Sequence, residues 1–386
     1  MPSVTMHTAK SSAPSEKDAA EEIATQLGAA TPKVVFMFAT RGRDHSALNA
    51  ALRERLPKGT RLVGASTGGE LDNGGYSLGG VVVGALSGDI DVGIGLGKGL
   101  SGDAVNAGST AIEQAATQLG KKVSDLDPSR YVAAVIDDGS KMKKEEFLLG
   151  VLEKNQSLVL VGGGAQDTEM DPSKASTLIH VDGEVVDDAV MTVLFHTQAP
   201  WAALRSHWYE PVGAKVRITK YDSVHRQIIE LDGRPAADRY SEILGVPKDQ
   251  LTLANVSMVV NNCLGLKVGR EYFIRAAWKP FENDTLQSMN MLAEDQELEV
   301  MRAGDMVALT KAFIEREIPR RVKNPHAALF FDCVARRAAM AMAGKLDAVG
   351  GLFAAAPPCA GFTVNFETYC GFQISGTLTS LIFGSN

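Results

Sequence analysis

The stretch that decides the fold is RLVGASTGGELDNGGYSLGGVVVGAL, at residues 61–86. It places two short apolar runs, RLVGAS and VVVGAL, on either side of a glycine-rich connection. Apolar runs of this length bounded by glycine are typical of buried β-strands, and glycine lets the connection approach a ligand or another backbone closely. The run KVVFMFAT at 33–40 precedes them, and an amphipathic helical pattern follows it over 45–56. Together these stretches predict a strand–helix–strand–loop–strand unit.

The same order of elements recurs twice along the chain. The second copy runs from RYVAAVIDD at 130–138 to AVMTVLF at 189–195, and the third from AALFFDCVAR at 327–336 to GTLTSLIF at 376–383. Between these copies lie short strand candidates, among them NVSMVV at 255–260. Repetition of such a unit predicts a mixed α/β (α+β) fold with two lobes, in which helices cover mixed sheets.

Composition narrows the class of protein. The 386 residues include 39 Lys plus Arg and 46 Asp plus Glu, for a net charge of −7. Because phosphate binding needs a basic face, this balance argues against a nucleic-acid partner. No apolar run has bilayer-spanning length, and the first residues lack the apolar core of a signal peptide. Four cysteines without a CxxC pair suit a reducing compartment. We therefore expect a cytoplasmic protein without a membrane partner.

The amino-terminal residues differ in composition from the rest. They are rich in Ser, Ala, Lys and Glu and show no apolar periodicity. Such segments cannot bury enough apolar surface to order themselves, so residues 1–32 are predicted to be a disordered leader. The remaining chain is predicted to form one domain over 33–225 and a second over 226–386.

Several stretches resemble the FIST (F-box and intracellular signal transduction) domain family. LVGASTGGELDNGGYSLGGVVVGAL resembles a segment of the FIST N-terminal domain. IIELDGRPAADRYSEILG at 228–245 resembles the junction into the FIST C-terminal domain, and FDCVARR at 331–337 and CAGFTVNFETY at 359–369 resemble the closing motifs of that domain. The resemblance covers roughly residues 33–384. It implies a FIST N-like domain over 33–225 and a FIST C-like domain over 226–386.

The resemblance also implies a function. FIST proteins resemble intracellular sensory modules that bind a small ligand and signal to a separate protein, such as a histidine kinase or a cyclic-di-GMP enzyme. Some members resemble haem-bound nitric-oxide sensors, which makes haem a candidate cofactor here. This chain departs from the family pattern where Phe366-Glu367 replaces Gly-Glu and Asp332-Cys333 replaces Ser-Cys. The phenylalanine would narrow a pocket beside Glu367. The sequence does not determine the oligomeric state.

Two acids are the main candidates for ligand binding. Glu70 and Glu367 each follow a small-residue turn at the end of a predicted strand, where backbone N–H groups and a carboxylate can hold a polar ligand. An amino group or another cation would be a natural partner for either acid. Ser66 and Thr67 precede Glu70, and Asp167 occupies a comparable point in the second copy. Alternatively, each acid caps its own glycine turn.

The end of the third copy's strand offers further chemistry. Arg336 could hold a carboxylate in a bidentate grip, or it could lie on a helix surface. Cys333 is the candidate nucleophile of an alternative function, a hydrolase of small amides or lactones. The same reaction could instead use the Glu70/Glu367 pair as acid and base. Asp332 would raise the pKa of the thiol, which favours a buried, inert cysteine. Whether the chain is an enzyme stays open here.

The seven histidines show no HxH or HExxH spacing, so no metal site is predicted. Non-covalent haem needs only one axial residue and an apolar slot. His207, beside Trp208 and Tyr209 in a predicted strand, is the first candidate haem ligand, and His196 is the second. A purely structural histidine is the alternative at both positions.

Overall fold

The computed structural model describes residues 1–169, 174–280 and 283–385. The strands are β1 Val4–Ser11, β2 Val34–Thr40, β3 Arg61–Thr67, β4 Glu70–Asp72, β5 Gly75–Ser77, β6 Val81–Gly88, β7 Asp91–Lys98, β8 Tyr131–Asp137, β9 Val159–Gly164, β10 Ile179–Val181, β11 Glu184–Val186, β12 Ala189–His196, β13 Trp201–Ser206, β14 Tyr209–Asp222, β15 Gln227–Leu231, β16 Arg234–Pro235, β17 Asn262–Val268, β18 Glu271–Arg275, β19 Ala277–Trp278, β20 Leu286–Ser288, β21 Glu297–Ala303, β22 Pro325–Cys333, β23 Cys359–Tyr369, β24 Phe372–Ile374 and β25 Leu378–Gly384. The α-helices are α1 Glu16–Leu27, α2 His45–Arg55, α3 Ala104–Gln118, α4 Lys144–Lys154, α5 Ala236–Leu244, α6 Val256–Asn261, α7 Met306–Ala312, α8 Ile318–Arg321, α9 Val334–Met342 and α10 Leu346–Gly350. A π-helical turn, Phe313–Glu317, joins α7 to α8.

Three units of the same topology build the body of the protein. Unit 1 spans residues 4–88, unit 2 spans 91–196, and unit 3 combines 201–206 with 306–384. In each unit the first strand pairs with the last, the last pairs antiparallel with the second, and the second pairs parallel with the third; the strand orders are β1-β6-β2-β3, β7-β12-β8-β9 and β13-β25-β22-β23. The mixed α/β fold is confirmed, and the repeated order of strands and helices is present in it.

The three units close into a ring. The segment after each third strand pairs with the third strand of another unit: β4 pairs with β23, β10 pairs with β3, and the end of β23 pairs with β9. In the core, a phenylalanine of unit 2 contacts one phenylalanine from each of the other two units. The ring of Phe195 lies 6.2 Å from that of Phe36 and 5.6 Å from that of Phe383, measured between ring centroids.

The prediction of a disordered leader over residues 1–32 was wrong. This segment forms β1, which pairs along its whole length with β6, and α1, whose Ala19, Ala20 and Ile23 are fully buried. Ser15 caps α1 by accepting a hydrogen bond from the Asp18 N–H at 3.1 Å. Because β1 is an edge strand, its exposed positions carry polar residues. Threonine, histidine and lysine therefore alternate with apolar residues, and this pattern does not indicate a strand in the sequence.

A separate sheet is inserted into unit 3, between β13 and α7. Its strands pair in the order β18-β17-β21-β14-β15-β20-β19. The predicted domain boundary at 225/226 falls in the turn that joins β14 to β15, two strands that pair with each other. That boundary stays a prediction, although strand pairing groups the chain as three units and one inserted sheet. Strand β13, from the first predicted domain, pairs with β25 from the second.

Two local predictions were also wrong. NVSMVV at 255–260 was predicted as a strand, but it forms most of α6, because the Asn255 side chain caps a helix by accepting from the Met258 N–H. The strand predicted over 327–336 ends at Cys333, and α9 begins at the next residue. Arg336 therefore lies in the first turn of a helix and faces inward, with none of its surface exposed.

The glycines of β7 allow α3 to pack directly on that strand. A Cβ atom at Gly95 would lie 1.8 Å from the Ala111 carbonyl oxygen. Gly93 and Gly97 have the same relation to the carbonyl oxygens of Ala115 and Ala107, at 2.0 Å and 1.9 Å. Alternate residues of a strand share a face, and helix residues three or four apart share a face. The glycine run therefore serves close helix–strand packing.

Candidate functional site

Strand register makes positions in the three units equivalent. One residue near the end of each unit's second strand pairs with the third strand on one side and with the last strand on the other. These residues are Ala39, Asp137 and Asp332. In units 1 and 3 an acid lies four residues beyond the third-strand partner: Glu70 in unit 1 and Glu367 in unit 3. The helix that follows the second strand carries a buried nitrogen base or cation in each unit: His45, Lys144 and Arg336. The side chains at equivalent positions of the three units can therefore be compared directly.

In unit 3 a buried ion pair lies at the start of α9. The Arg336 Nε donates to Asp332 Oδ1 at 2.5 Å, and the Tyr76 hydroxyl donates to Asp332 Oδ2 at 2.5 Å. The guanidinium lies 3.9 Å from the ring centroid of Trp208, so the indole stacks on it. Asp332 and Arg336 have no exposed surface. Burial raises the pKa of Asp332, while Arg336 and the Tyr76 hydrogen bond oppose that shift.

The same region holds buried polar atoms that lack partners. Within the part of the chain that the structure describes, they include Nη1 and Nη2 of Arg336, Oε1 and Oε2 of Glu367, Nε1 of Trp208 and Oγ1 of Thr377. Buried polar groups are nearly always hydrogen-bonded, so such a group points to a functional role or a bound molecule. Unit 3 therefore has unused donors and acceptors at the buried end of its strands.

Glu367 and Cys333 lie next to each other and influence each other's protonation. Burial raises the pKa of Glu367 to about 8, and the Cys333 thiol opposes that shift. Burial, together with the Glu367 charge, raises the pKa of the Cys333 thiol well above its usual range. Both groups therefore carry protons at neutral pH. A protonated thiol is a poor nucleophile.

In unit 1 the equivalent acid is saturated by its own surroundings. Glu70 Oε1 accepts hydrogen bonds from the hydroxyls of Thr40, at 2.7 Å, and Thr67. Its Oε2 faces the Ser77 hydroxyl at 3.5 Å. Burial raises the pKa of Glu70, and these threonine bonds oppose the shift. Ser66 is also engaged, because its hydroxyl donates to the Gln166 carbonyl oxygen and accepts from the Leu178 N–H.

A buried chain of hydrogen bonds replaces the ion pair in unit 1. Asn49 Nδ2 lies 3.0 Å from His180 Nδ1, His180 Nε2 lies 2.8 Å from His45 Nδ1, and His45 Nε2 lies 3.2 Å from the Thr40 carbonyl oxygen. The chain is complete when both imidazoles are neutral. Burial lowers the pKa of His45 to about 4 and that of His180 to about 3. The sequence offers no signal for this pair, since 135 residues separate its members.

Unit 2 resembles unit 1, because the two acids at the end of β8 have partners. Lys144 forms a buried ion pair with Asp137. Asp138 accepts from the hydroxyls of Thr177 and Ser140 and from the Asp188 N–H. Asp138 also caps the short turn that follows β8, because its side chain accepts from the Ser140 N–H.

Asp167 lies apart from the other candidate ligand-binding residues. Its carboxylate accepts from the backbone N–H groups of Glu169 at 3.2 Å and Ser176 at 2.9 Å. It lines an open cleft of about 570 Å³ together with Arg41. Asp167 therefore caps a loop at the rim, whereas Arg336, Cys333 and Glu367 are brought together inside unit 3.

Neither candidate haem ligand lies in a setting that suits haem. His207 Nδ1 accepts the Tyr209 N–H at 3.2 Å, which leaves the proton of the neutral ring on Nε2, the atom that would bind iron. The cleft beside it, about 410 Å³, is lined partly by charged residues, including Arg205 and Glu271. His196 contacts Asp91 at 3.2 Å and stacks on Tyr131. The cleft beside His196 is also lined partly by charged residues, including Arg61 and Asp91.

The site depends on two residues that the sequence did not indicate. Tyr76 comes from the β5 strand of unit 1 and reaches Asp332 across a separation of 256 residues. Trp208 comes from the connection between β13 and β14 and was considered only as a neighbour of His207. Within the described ranges no three His, Cys, Asp or Glu residues are arranged to hold a metal ion. None of the helices in those ranges has the length and apolar character needed to cross a membrane.

Comparison with known proteins identifies the class and then the family. The chain matches the FIST N domain over residues 33–234 and the FIST C domain over 236–370. FIST domains are sensory modules of signal transduction. The chain belongs to the FIST family, as the sequence resemblance predicted.

The solved structures show only weak likenesses. The cyanuric acid hydrolase from A. caulinodans has a TM-score of 0.37 at 10% identity, with 100% of both chains covered. T. maritima PurL complexed with ADP has a TM-score of 0.20 at 11% identity, and its complex with ATP has 0.19 at 10%; each alignment covers 99% of this chain and 71% of the other. These scores support no conclusion about fold or activity. A search of curated proteins finds no match.

Proposed function

We propose that this FIST protein is a sensory module that binds a small polar ligand inside unit 3, at Arg336 and Glu367. The observation that carries the proposal is the difference between equivalent positions. Glu70 has hydroxyl partners in unit 1, whereas among the described residues no N–H or O–H donor reaches either oxygen of Glu367 and no acceptor reaches either Nη of Arg336. Buried groups without partners cost stability, and proteins tolerate that cost where function needs the groups.

The surroundings of Arg336 suggest how binding could be transmitted. Trp208, which stacks on the guanidinium, begins the connection into the inserted sheet, and Tyr76 links Asp332 to unit 1. A ligand that engages Arg336 would shift the balance between arrangements of these parts. A separate protein would read that shift. A histidine kinase or cyclic-di-GMP enzyme in this role remains an inference from the family resemblance.

A thermal-shift screen of small polar metabolites tests the location of the site. The double variant D332N/R336M removes both charges from unit 3 while keeping an acceptor for Tyr76. The matched control D137N/K144M removes the equivalent buried pair from unit 2. We expect a compound that raises the melting temperature of the wild type and of the unit 2 variant and leaves the unit 3 variant unchanged. A compound that stabilises all three proteins equally would place binding elsewhere.

Replacement of the two equivalent glutamates should affect stability in opposite ways. Glu367→Gln removes a carboxyl whose unfolded pKa is near 4.5 and whose folded pKa is about 8. Between those values the unfolded chain releases the proton while the folded protein keeps it. The wild type should therefore lose about 1.4 kcal/mol of stability per pH unit relative to this variant. Glu70→Gln disturbs a saturated carboxyl and should destabilise by about 1–3 kcal/mol.

Urea unfolding of the wild type and both variants between pH 5 and pH 8 (roughly the window set by these pKa values) measures the two effects. A Glu367→Gln variant whose stability stays parallel to that of the wild type throughout this window would show that the carboxyl is not the buried, unpartnered group described above.

A hydrolase that uses Cys333 is the second candidate function, and one observation favours it. The Cys333 thiol lies beside Glu367, a potential base, and the backbone at Gly376 and Ala335 opposes the rise in the pKa of the thiol. Its burial and raised pKa oppose thiolate formation. Turnover of small amides or lactones that disappears in Cys333→Ser would support the enzyme. Ligand binding without turnover would support the sensor.

Haem binding through His207 or His196 is not favoured by their contacts. An absorption spectrum of protein purified from haem-supplied cells, before and after reduction and nitric-oxide addition, tests this point. A stoichiometric Soret band that His207→Ala abolishes would overturn it.

A further inference from the structure

The chemistry of the unpartnered atoms in unit 3 restricts the ligand. Guanidinium and indole nitrogens are hydrogen-bond donors only. Nη1 and Nη2 of Arg336 and Nε1 of Trp208 therefore offer donors, and the Thr377 hydroxyl can serve as either. The one acid among these groups is Glu367. Donors outnumber acceptors, so the complementary ligand is rich in acceptor atoms.

Glu367 adds to the donors at neutral pH. Its carboxyl has no exposed surface, and burial raises its pKa to about 8. The titratable and charged groups that act on it are Cys333, Asp332 and Arg336, and it in turn acts on Tyr209. In its protonated form this carboxyl presents an O–H group and no negative charge. A bound ammonium group would therefore meet no ionised partner there, since Asp332 already engages Arg336 and Tyr76.

The arrangement of Arg336 selects among anions. Its Nε is used by Asp332, and the face of its guanidinium is covered by Trp208 at 3.9 Å. The two Nη atoms, which lie in the plane of the group, remain without partners among the described residues. A planar group with two oxygen atoms fits this fork. Because Arg336, Glu367 and Trp208 are all fully buried, the bound molecule is enclosed and short.

We propose that the ligand is a small monocarboxylate anion, held by the two Nη atoms of Arg336 and by the Glu367 carboxyl acting as a hydrogen-bond donor. This inference rests on the proposed function and specifies its ligand class. The carboxylate supplies acceptors to buried donors that have none among the described residues. An anion favours the protonated form of Glu367, and ionised Glu367 would repel it.

Sodium acetate is the probe for this inference. Titrations followed by melting temperature would use the wild type, D332N/R336M and the control D137N/K144M, with sodium chloride at equal ionic strength as the reference. Acetate at saturation should raise the melting temperature of the wild type and the control by a few degrees and leave D332N/R336M unchanged. The dissociation constant should rise about tenfold per pH unit once Glu367 ionises above about pH 8.

Two further salts separate the outcomes. If methylammonium chloride stabilised the wild type but not D332N/R336M, and acetate had no effect, the carboxylate ligand would be overturned and the proposed site would remain. Sodium phosphate that acts at lower concentration than acetate would replace the planar anion with a tetrahedral one. An acetate response that persists in D332N/R336M would overturn the inference, because binding would lie outside unit 3. The proposed function itself would be overturned if no compound in the metabolite screen raised the melting temperature of the wild type more than that of D332N/R336M.

Discussion

Asp332→Asn should destabilise the protein by about 3 kcal/mol or more, because it leaves a buried arginine without its counter-charge. Arg336 is fully buried, and its ion pair with Asp332 is the one carboxylate contact within 4.0 Å that it makes among the described residues. Asparagine keeps an acceptor for Tyr76, so the loss reports the charge. Urea unfolding at pH 7 measures it.

The double variant D332N/R336M is the control for this result. Removing both members of a buried pair is often close to neutral, since no uncompensated charge remains. The double variant should therefore recover most of the stability that Asp332→Asn loses. If Asp332→Asn alone costs less than about 1 kcal/mol, the guanidinium finds other compensation and the description of a buried, partly unsatisfied arginine is wrong.

Gly95→Ala should also destabilise the protein strongly, by about 3 kcal/mol, the upper end of the usual cost of overpacking, because the new methyl group has no space. Its Cβ would lie 1.8 Å from the Ala111 carbonyl oxygen and 2.8 Å from the carbonyl carbon, both backbone atoms of α3. The backbone atoms of a helix cannot move aside as the end of a flexible side chain can. The methyl group must therefore push β7 and α3 apart. Thermal and urea unfolding measure the loss.

Gly102→Ala is the matched control from the connection between the same strand and helix. Its Cβ would approach the Gly99 carbonyl oxygen only to 3.6 Å, which is ordinary contact. We expect a change within about 0.5 kcal/mol, as for most exposed substitutions. Equal effects at Gly95 and Gly102 would contradict direct packing of α3 on β7.

The strands of the three units could be predicted because their apolar runs are bounded by turns. The run at 33–40 and the strand beginning at residue 130 correspond to β2 and β8, whose residues are all buried. β1 could not be predicted in this way, since its partly exposed pattern resembles a polar leader. α6 was missed because a stretch as short as NVSMVV does not distinguish a strand from a helix, and the Asn255 cap decides the outcome.

The candidate site could be predicted in part. The chemistry of the residue types near a predicted strand end indicates Arg336, Cys333 and Glu367. The structure brings these three residues together. The sequence alone does not distinguish Glu70 from Glu367 as a ligand-binding acid, because both follow similar turns. The difference between them depends on Thr40, which lies 30 residues from Glu70 and is replaced by Cys333 in unit 3. Contacts that distant in sequence leave no local pattern.

A crystal structure of the protein grown in saturating acetate tests the central claim most directly. The claim is that unit 3 holds a small ligand between Arg336 and Glu367. It predicts density for a planar ligand with its oxygen atoms roughly 2.7–3.2 Å from Nη1 and Nη2 of Arg336, and no ligand at Glu70. The claim would be contradicted if the Nη atoms formed hydrogen bonds with protein groups and acetate either bound elsewhere or was not seen.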